Sequence, residues 1–152
     1  MEQPGVDPRN ILLVEDNEAH AELVMRILQG LDEANVVYHV SDGQQALDFL
    51  HQKGEYAKTT GNPRPDLVLL DLRLPRVDGL DVLKEIKNTP GLRRIPVVVL
   101  TSSDADADID RSYDAHANGY VVKPTEFKKF TRAMENLGHY WLGWNTRPHT
   151  GE

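Results

Sequence analysis

Five residues whose types suit one chemistry stand in this sequence at the ends of short apolar runs. Glu15-Asp16 follows Ile11-Leu12-Leu13-Val14, Asp71 follows Leu67-Val68-Leu69-Leu70, Thr101 follows Val97-Val98-Val99-Leu100, and Lys123 follows Tyr120-Val121-Val122. Clustered carboxylates repel one another unless a hard cation neutralises them, and an all-oxygen donor set suits magnesium, with manganese as an alternative. A carboxylate held in line with a phosphoryl group can attack phosphorus and become an acyl phosphate. A lysine ammonium and a threonine hydroxyl or amide would then hold the phosphoryl oxygens. Each residue alone has an ordinary explanation: Asp71 opening a turn before Pro75, Glu15-Asp16 capping a helix, Thr101 starting one, Lys123 solvating a rim. Their convergence on one edge carries the argument.

That convergence depends on the elements. The run 67–70 is apolar at every position, as a strand buried on both faces of a parallel sheet must be. Between the runs lie helical repeats: Leu23, Ile27 and Leu28 with Val24 and Leu31; Ala46, Leu47, Phe49 and Leu50; Leu80, Leu83 and Ile86; and Phe127, Phe130, Met134 and Leu137. Asp16 or Asn17 is expected to cap the first helix, Asp78 the third and Thr125 the last. The fourth, over residues 104–117, has only Ile109 and Tyr113 as large apolar residues and crowds Asp104, Asp106, Asp108 and Asp110 into its first turns, so it is expected to pack weakly. Five strand-helix units predict an α/β fold with a doubly wound, five-stranded parallel sheet. All five strands then point their carboxyl ends at one crevice.

At 152 residues, with 39% hydrophobic residues, the sequence predicts one domain and no effector domain of ordinary size. The net charge of -7 and the lack of a Lys/Arg run argue against direct DNA binding. The absence of cysteine excludes thiolate nucleophiles, disulfides and thiolate metal sites. No secretory leader and no membrane-spanning run is visible, and a soluble, cytoplasmic protein is expected. A polar stretch over residues 52–64 breaks the rhythm and reads as a surface loop. The tail from 138 to 152 has no helical period but contains Tyr140, Trp141 and Trp144.

On these residues the chain resembles the receiver domain of two-component response regulators. The likeness covers residues 10–137, with an N-terminal arm at 1–9 and the tail at 138–152. It implies the flavodoxin-like (βα)5 fold with strand order 2-1-3-4-5. It also implies roles: Asp71 as phosphoacceptor, Thr101 and Tyr120 as switch residues, Lys123 as the lysine of the site. Metal binding by Asp16 and Asp71 is implied as well, with Glu15 acting through water and the backbone carbonyl of Arg73 adding an oxygen. The thirty residues from Asp71 to Thr101 and the twenty-two from Thr101 to Lys123 match the family, as does Pro124 after the lysine. Pro75 and Gly79 are separated by one residue more than the family's usual spacing. The loop at 53–64, the wording of 94–101 and the Tyr140-Trp141 tail are similar to single-domain regulators that partner phytochrome-type histidine kinases.

Further expectations follow from the resemblance. Lys123-Pro124 should be cis. The kinase should dock over the first helix, near His20, Val24 and Met25, and the loop after Lys123. A homodimer should form through helix four, strand five, helix five and the tail. Two other readings compete. A haloacid-dehalogenase-type phosphatase needs a second Asp two residues after its nucleophile as general acid, and Arg73 stands there, always protonated. A phosphorylation-independent docking module would be favoured by loss of Asp71, Asp16 or Lys123, and all three are present.

Overall fold

The computed structural model describes residues 8–57 and 63–148. Most of the N-terminal arm, the centre of the polar loop and the last four residues of the tail lie outside the described residues. The elements alternate in chain order: β1 (Arg9–Val14), α1 (Glu18–Leu31), β2 (Asn35–Val40), α2 (Gly43–His51), β3 (Leu67–Leu70), α3 (Gly79–Asn88), β4 (Val97–Thr101), α4 (Asp106–Asp114), β5 (Gly119–Val122) and α5 (Phe127–Gly138). The five strands form one parallel sheet in the order β2-β1-β3-β4-β5. Val14 stands beside Leu70, Leu70 beside Val99, and Thr101 beside Val122, so the strands end level at one edge.

Successive strand residues point to opposite faces, and each face has its own core. Leu12, Val14, Val68, Leu70, Val97 and Val99 pack against Ala46, Phe49, Val82, Leu83 and Ile86 of α2 and α3. Ile11, Leu13, Leu67, Leu69, Val98 and Leu100 pack against Ala21, Val24, Leu28, Phe130, Met134 and Leu137 of α1 and α5. Lys87, at the end of α3, is half-buried and donates to the carbonyls of Arg93 and Ile95 and to Asn118 Oδ1, at 2.9–3.0 Å. Burial lowers its pKa below the usual lysine value.

Local chemistry decides the helix starts. Asn17 caps α1 by accepting from the His20 amide at 3.0 Å, and Asp42 caps α2 by accepting from the Gln45 amide at 2.8 Å. Asp78 occupies the cap position of α3 without a side-chain bond. Instead, Gly79 donates its amide to the Leu72 carbonyl at 2.9 Å, close against the chain after β3.

Several expectations are corrected. Glu126, not Thr125, takes the cap position of α5, and Phe127 is 66% exposed rather than in the core. The tail does not leave the helix at Gly138: α5 runs on into a π-helical turn, His139–Trp144. Its Leu142 is buried in the core beneath α1 and α5, with Trp141 packed alongside. Arg147 then pairs with Asp66 at 3.2 Å, strapping the chain to the foot of β3. The face that α4 buries is polar, made of Asp108 and Ser112, while Tyr113 is 49% exposed. The thin apolar face is the one the sequence predicts; the polar anchorage leaves no pattern in the sequence.

Candidate functional site

The level strand ends bring the acids together. Glu15 follows β1 and Asp71 follows β3, and the Asp71 amide donates to the Val14 carbonyl at 3.1 Å. Lys123 follows β5, its amide donating to the Thr101 carbonyl at 2.7 Å. Its side chain crosses the cleft, and Nζ lies 2.5 Å from Glu15 Oε1 and 3.2 Å from Asp71 Oδ2. A third contact runs to His20 Nδ1 at 3.2 Å. Glu15, Asp71, Thr101 and Lys123 are all buried, and Asp16 is exposed.

Glu15, Asp16 and Asp71 each offer a carboxylate oxygen, and these lie within 4.8 Å of one another. Burial raises the Glu15 carboxyl above its usual range, Lys123 opposes the rise and the charge of Asp71 adds to it. One buried ammonium between two buried carboxylates leaves the triad with negative charge to spare. Three hard oxygen donors, one open to solvent, fit a divalent cation. These side chains line an open cleft of about 470 Å³, with Arg73 and Ser103 on its rim.

Every sequence-predicted side chain of the site reaches this edge. Thr101 Oγ1 accepts weakly from the Ser103 amide at 3.5 Å, and the Tyr120 hydroxyl donates to the Ser103 carbonyl at 2.9 Å. Burial raises the Tyr120 phenol, keeping it a donor. The Lys123-Pro124 peptide is trans, against the expectation of cis. The trans form is the lower-energy one for X-Pro by about 0.5–1 kcal/mol, and the lysine reaches both carboxylates from it. Of the residues expected at a docking face, Val24 is fully buried core and Met25 is half-buried, while His20 lines the cleft.

Two features were not legible in the sequence. His20 serves Lys123 rather than an outer surface. Arg73 Nη2 donates to Asp108 Oδ2 at 2.6 Å, and Ser103 Oγ donates to the same oxygen at 2.5 Å. No spacing rule pairs residues 35 apart on a loop and a helix.

A (βα)5 sheet in this order, with an acid pair, a third acid, a hydroxyl and a lysine at its carboxyl edge, defines a phosphorylation module of two-component signalling. The chain belongs to that family: the response regulator receiver domain matches residues 11–135. Within it, the chain is similar to the probable methanogenesis regulatory protein FilR2 of Methanothrix harundinacea, 49% identical over 93% of this chain and 89% of that one. The crystal structure of the phosphorylated cyanobacterial phytochrome response regulator RcpA superposes with a TM-score of 0.87 at 42% identity, over 93% of this chain and 99% of that one. The Mn2+-bound form of response regulator Rcp1 of Synechocystis sp. gives 0.86 at 43% identity, with the same coverage. The protein is therefore a receiver-domain protein of a two-component system, similar to phytochrome-linked regulators, with an acidic cluster suited to phosphorylation and to a divalent metal. Among the described residues no helix is long and apolar enough to cross a membrane.

Proposed function

We propose that Asp71 accepts a phosphoryl group from the phosphohistidine of a partner histidine kinase, and that the observation carrying this reading is the buried Glu15-Lys123-Asp71 bridge. An Asp71 carboxylate oxygen attacks phosphorus, the P–N bond to imidazole breaks, and the leaving imidazole takes the electron pair. Lys123 is anchored by Glu15, so its ammonium stays at the Asp71 carboxylate and can donate to phosphoryl oxygens there. Thr101, which lines the same cleft, supplies a hydroxyl. Magnesium, held by Glu15, Asp16, Asp71 and the Arg73 carbonyl, would neutralise charge on the transferring group. The kinase would be of the phytochrome type, a reading supported by the likeness to RcpA and Rcp1.

The phosphorylated state would be read by a second copy of the chain. Tyr113, Val122, Phe127, Tyr140 and Trp144 are exposed on α4, β5, α5 and the tail, and aromatic side chains of this kind anchor interfaces.

Intact-mass measurement with a small phosphodonor and magnesium tests the reaction. One added phosphoryl group is expected on the wild type, and none on Asp71→Asn or in excess chelator. Undiminished incorporation in Asp71→Asn would falsify the assignment.

A further inference from the structure

The cleft has a second cation that the reading above leaves unused. Arg73 follows Asp71 by two residues, lines the same cleft, and donates its amide to Asp71 Oδ1 at 3.3 Å. Its guanidinium is drawn aside to Asp108 of α4 by a single contact, although its side chain is 65% exposed. Asp108 is buried, carries the Ser103 hydroxyl on the same oxygen, and its backbone carbonyl accepts from the buried Ser112 hydroxyl at 2.8 Å. Hydrogen bonding from Ser103, helped by the charge of Arg73, holds the Asp108 carboxyl below its ordinary range.

A monodentate pair with a mostly exposed arginine is weak. A phosphoryl group on Asp71 would bring up to two negative charges and three acceptor oxygens into the same cleft. Guanidinium binds such oxygens through a planar fork. We propose that Arg73 is a further phosphoryl-binding residue, kept in reserve by Asp108. Transfer of the guanidinium from Asp108 to the phosphoryl group would then leave a buried carboxylate on α4 without its cation. Asp108 is in this scheme a positioning residue, acting only through Arg73. Ser103 ties the device to the switch, because its side chain bonds Asp108 while its carbonyl accepts from Tyr120. The inference rests on Asp71 being the phosphoacceptor.

Beryllofluoride, a stable phosphoryl mimic, provides the test, with affinity read by fluorine NMR in saturating magnesium. R73Q is expected to bind about tenfold more weakly, the lower end for one charge-assisted hydrogen bond. D108N, which frees the arginine, is expected to bind about threefold more tightly, the value of a weak pair. The double variant should match R73Q, and R73K should fall between R73Q and wild type. Hydrogen exchange in α4 should rise on beryllofluoride binding in wild type and show no ligand-dependent rise in R73Q. The proposal is overturned if R73Q binds as wild type does, or if D108N shifts affinity equally in the R73Q background. Should D108N fail to fold, R73Q and R73K still decide it. Wild type that binds beryllofluoride while D71N does not confirms the phosphoacceptor independently of Arg73; no binding by wild type would overturn both readings.

Discussion

Replacing Lys123 with methionine removes one charge and little volume, and its cost can be worked from the bridge. The ammonium sits 2.5 Å from Glu15 and 3.2 Å from Asp71, with all three side chains at most 10% exposed. Gross attraction is roughly 7 kcal/mol for the Glu15 pair and roughly 5 kcal/mol for the Asp71 pair at an effective dielectric of about 20, most of it spent on desolvation. Breaking such a bridge typically costs about 3–5 kcal/mol, because a charge is left buried and unpaired. The molecule has one escape, which is to protonate Glu15. From the ordinary carboxyl value of 4.5, holding that proton at pH 7 costs about 3.4 kcal/mol at 1.36 kcal/mol per unit, and at pH 5 under about 1 kcal/mol.

The expected loss in Lys123→Met is thus about 3 kcal/mol at pH 7, or a melting temperature lower by roughly 10 °C in a chain of this size. The sign follows from proton counting. A carboxyl raised in the folded state binds more protons there than in the unfolded state, so the variant loses stability relative to wild type as pH rises from 5 to 7. Magnesium, taking over the neutralising role, should restore more stability to the variant than it adds to wild type. Thermal unfolding at both pH values, in chelator and in magnesium, measures all of this. Equal melting of variant and wild type at pH 7 in chelator, with the same slope against pH, would refute the reasoning.

Three other outcomes are expected. Gly79→Ala would set a Cβ 2.1 Å from the Asp71 carbonyl oxygen and 2.6 Å from Leu72 Cα, contacts with backbone that cannot yield. It should lower stability by at least about 2 kcal/mol and slow phosphorylation together, as urea unfolding and intact-mass kinetics will show. Asp32, which joins the end of α1 to β1, has its carboxyl lowered by the Ala34 amide and by Arg9. Its stabilising contribution is present above its ordinary value of 3.8 and lost as pH falls through the folded value, so Asp32→Asn should flatten acid unfolding in that range. For the tail, light-scattering mass against concentration, with and without phosphodonor, should show a dimer in wild type. A Trp141→Ala/Trp144→Ala variant should be weaker, and a wild-type monomer under all conditions would remove the dimer.

Much of this molecule was legible because strands in a parallel sheet leave local signatures. The run 67–70 is apolar at every position because both faces are covered, and each helix carries the chain back so that the next strand runs in the same direction. Once Glu15, Asp71, Thr101 and Lys123 stand immediately after four short apolar runs, topology alone delivers them to one edge. Asn17, expected together with Asp16 as a candidate cap of the first helix, was readable for a similar reason, since a cap bonds an amide three residues away.

Tertiary structure decided what depends on partners distant in the chain. Apolar content describes how weakly α4 is held by hydrophobic packing, but its anchorage runs through Arg73 and Ser103 to Asp108, and hydrogen bonds between separate elements have no period. The same holds for His20, which an isolated helix would leave in solvent and which the sheet brings to Lys123. The tail carried no helical repeat, yet α5 continues into it because Leu142 finds a place in a core already built by α1, α5 and the sheet. Trp144, 84% exposed two residues later, shows that in this tail aromatic type alone did not tell burial from display. That depends on the surface the rest of the chain presents.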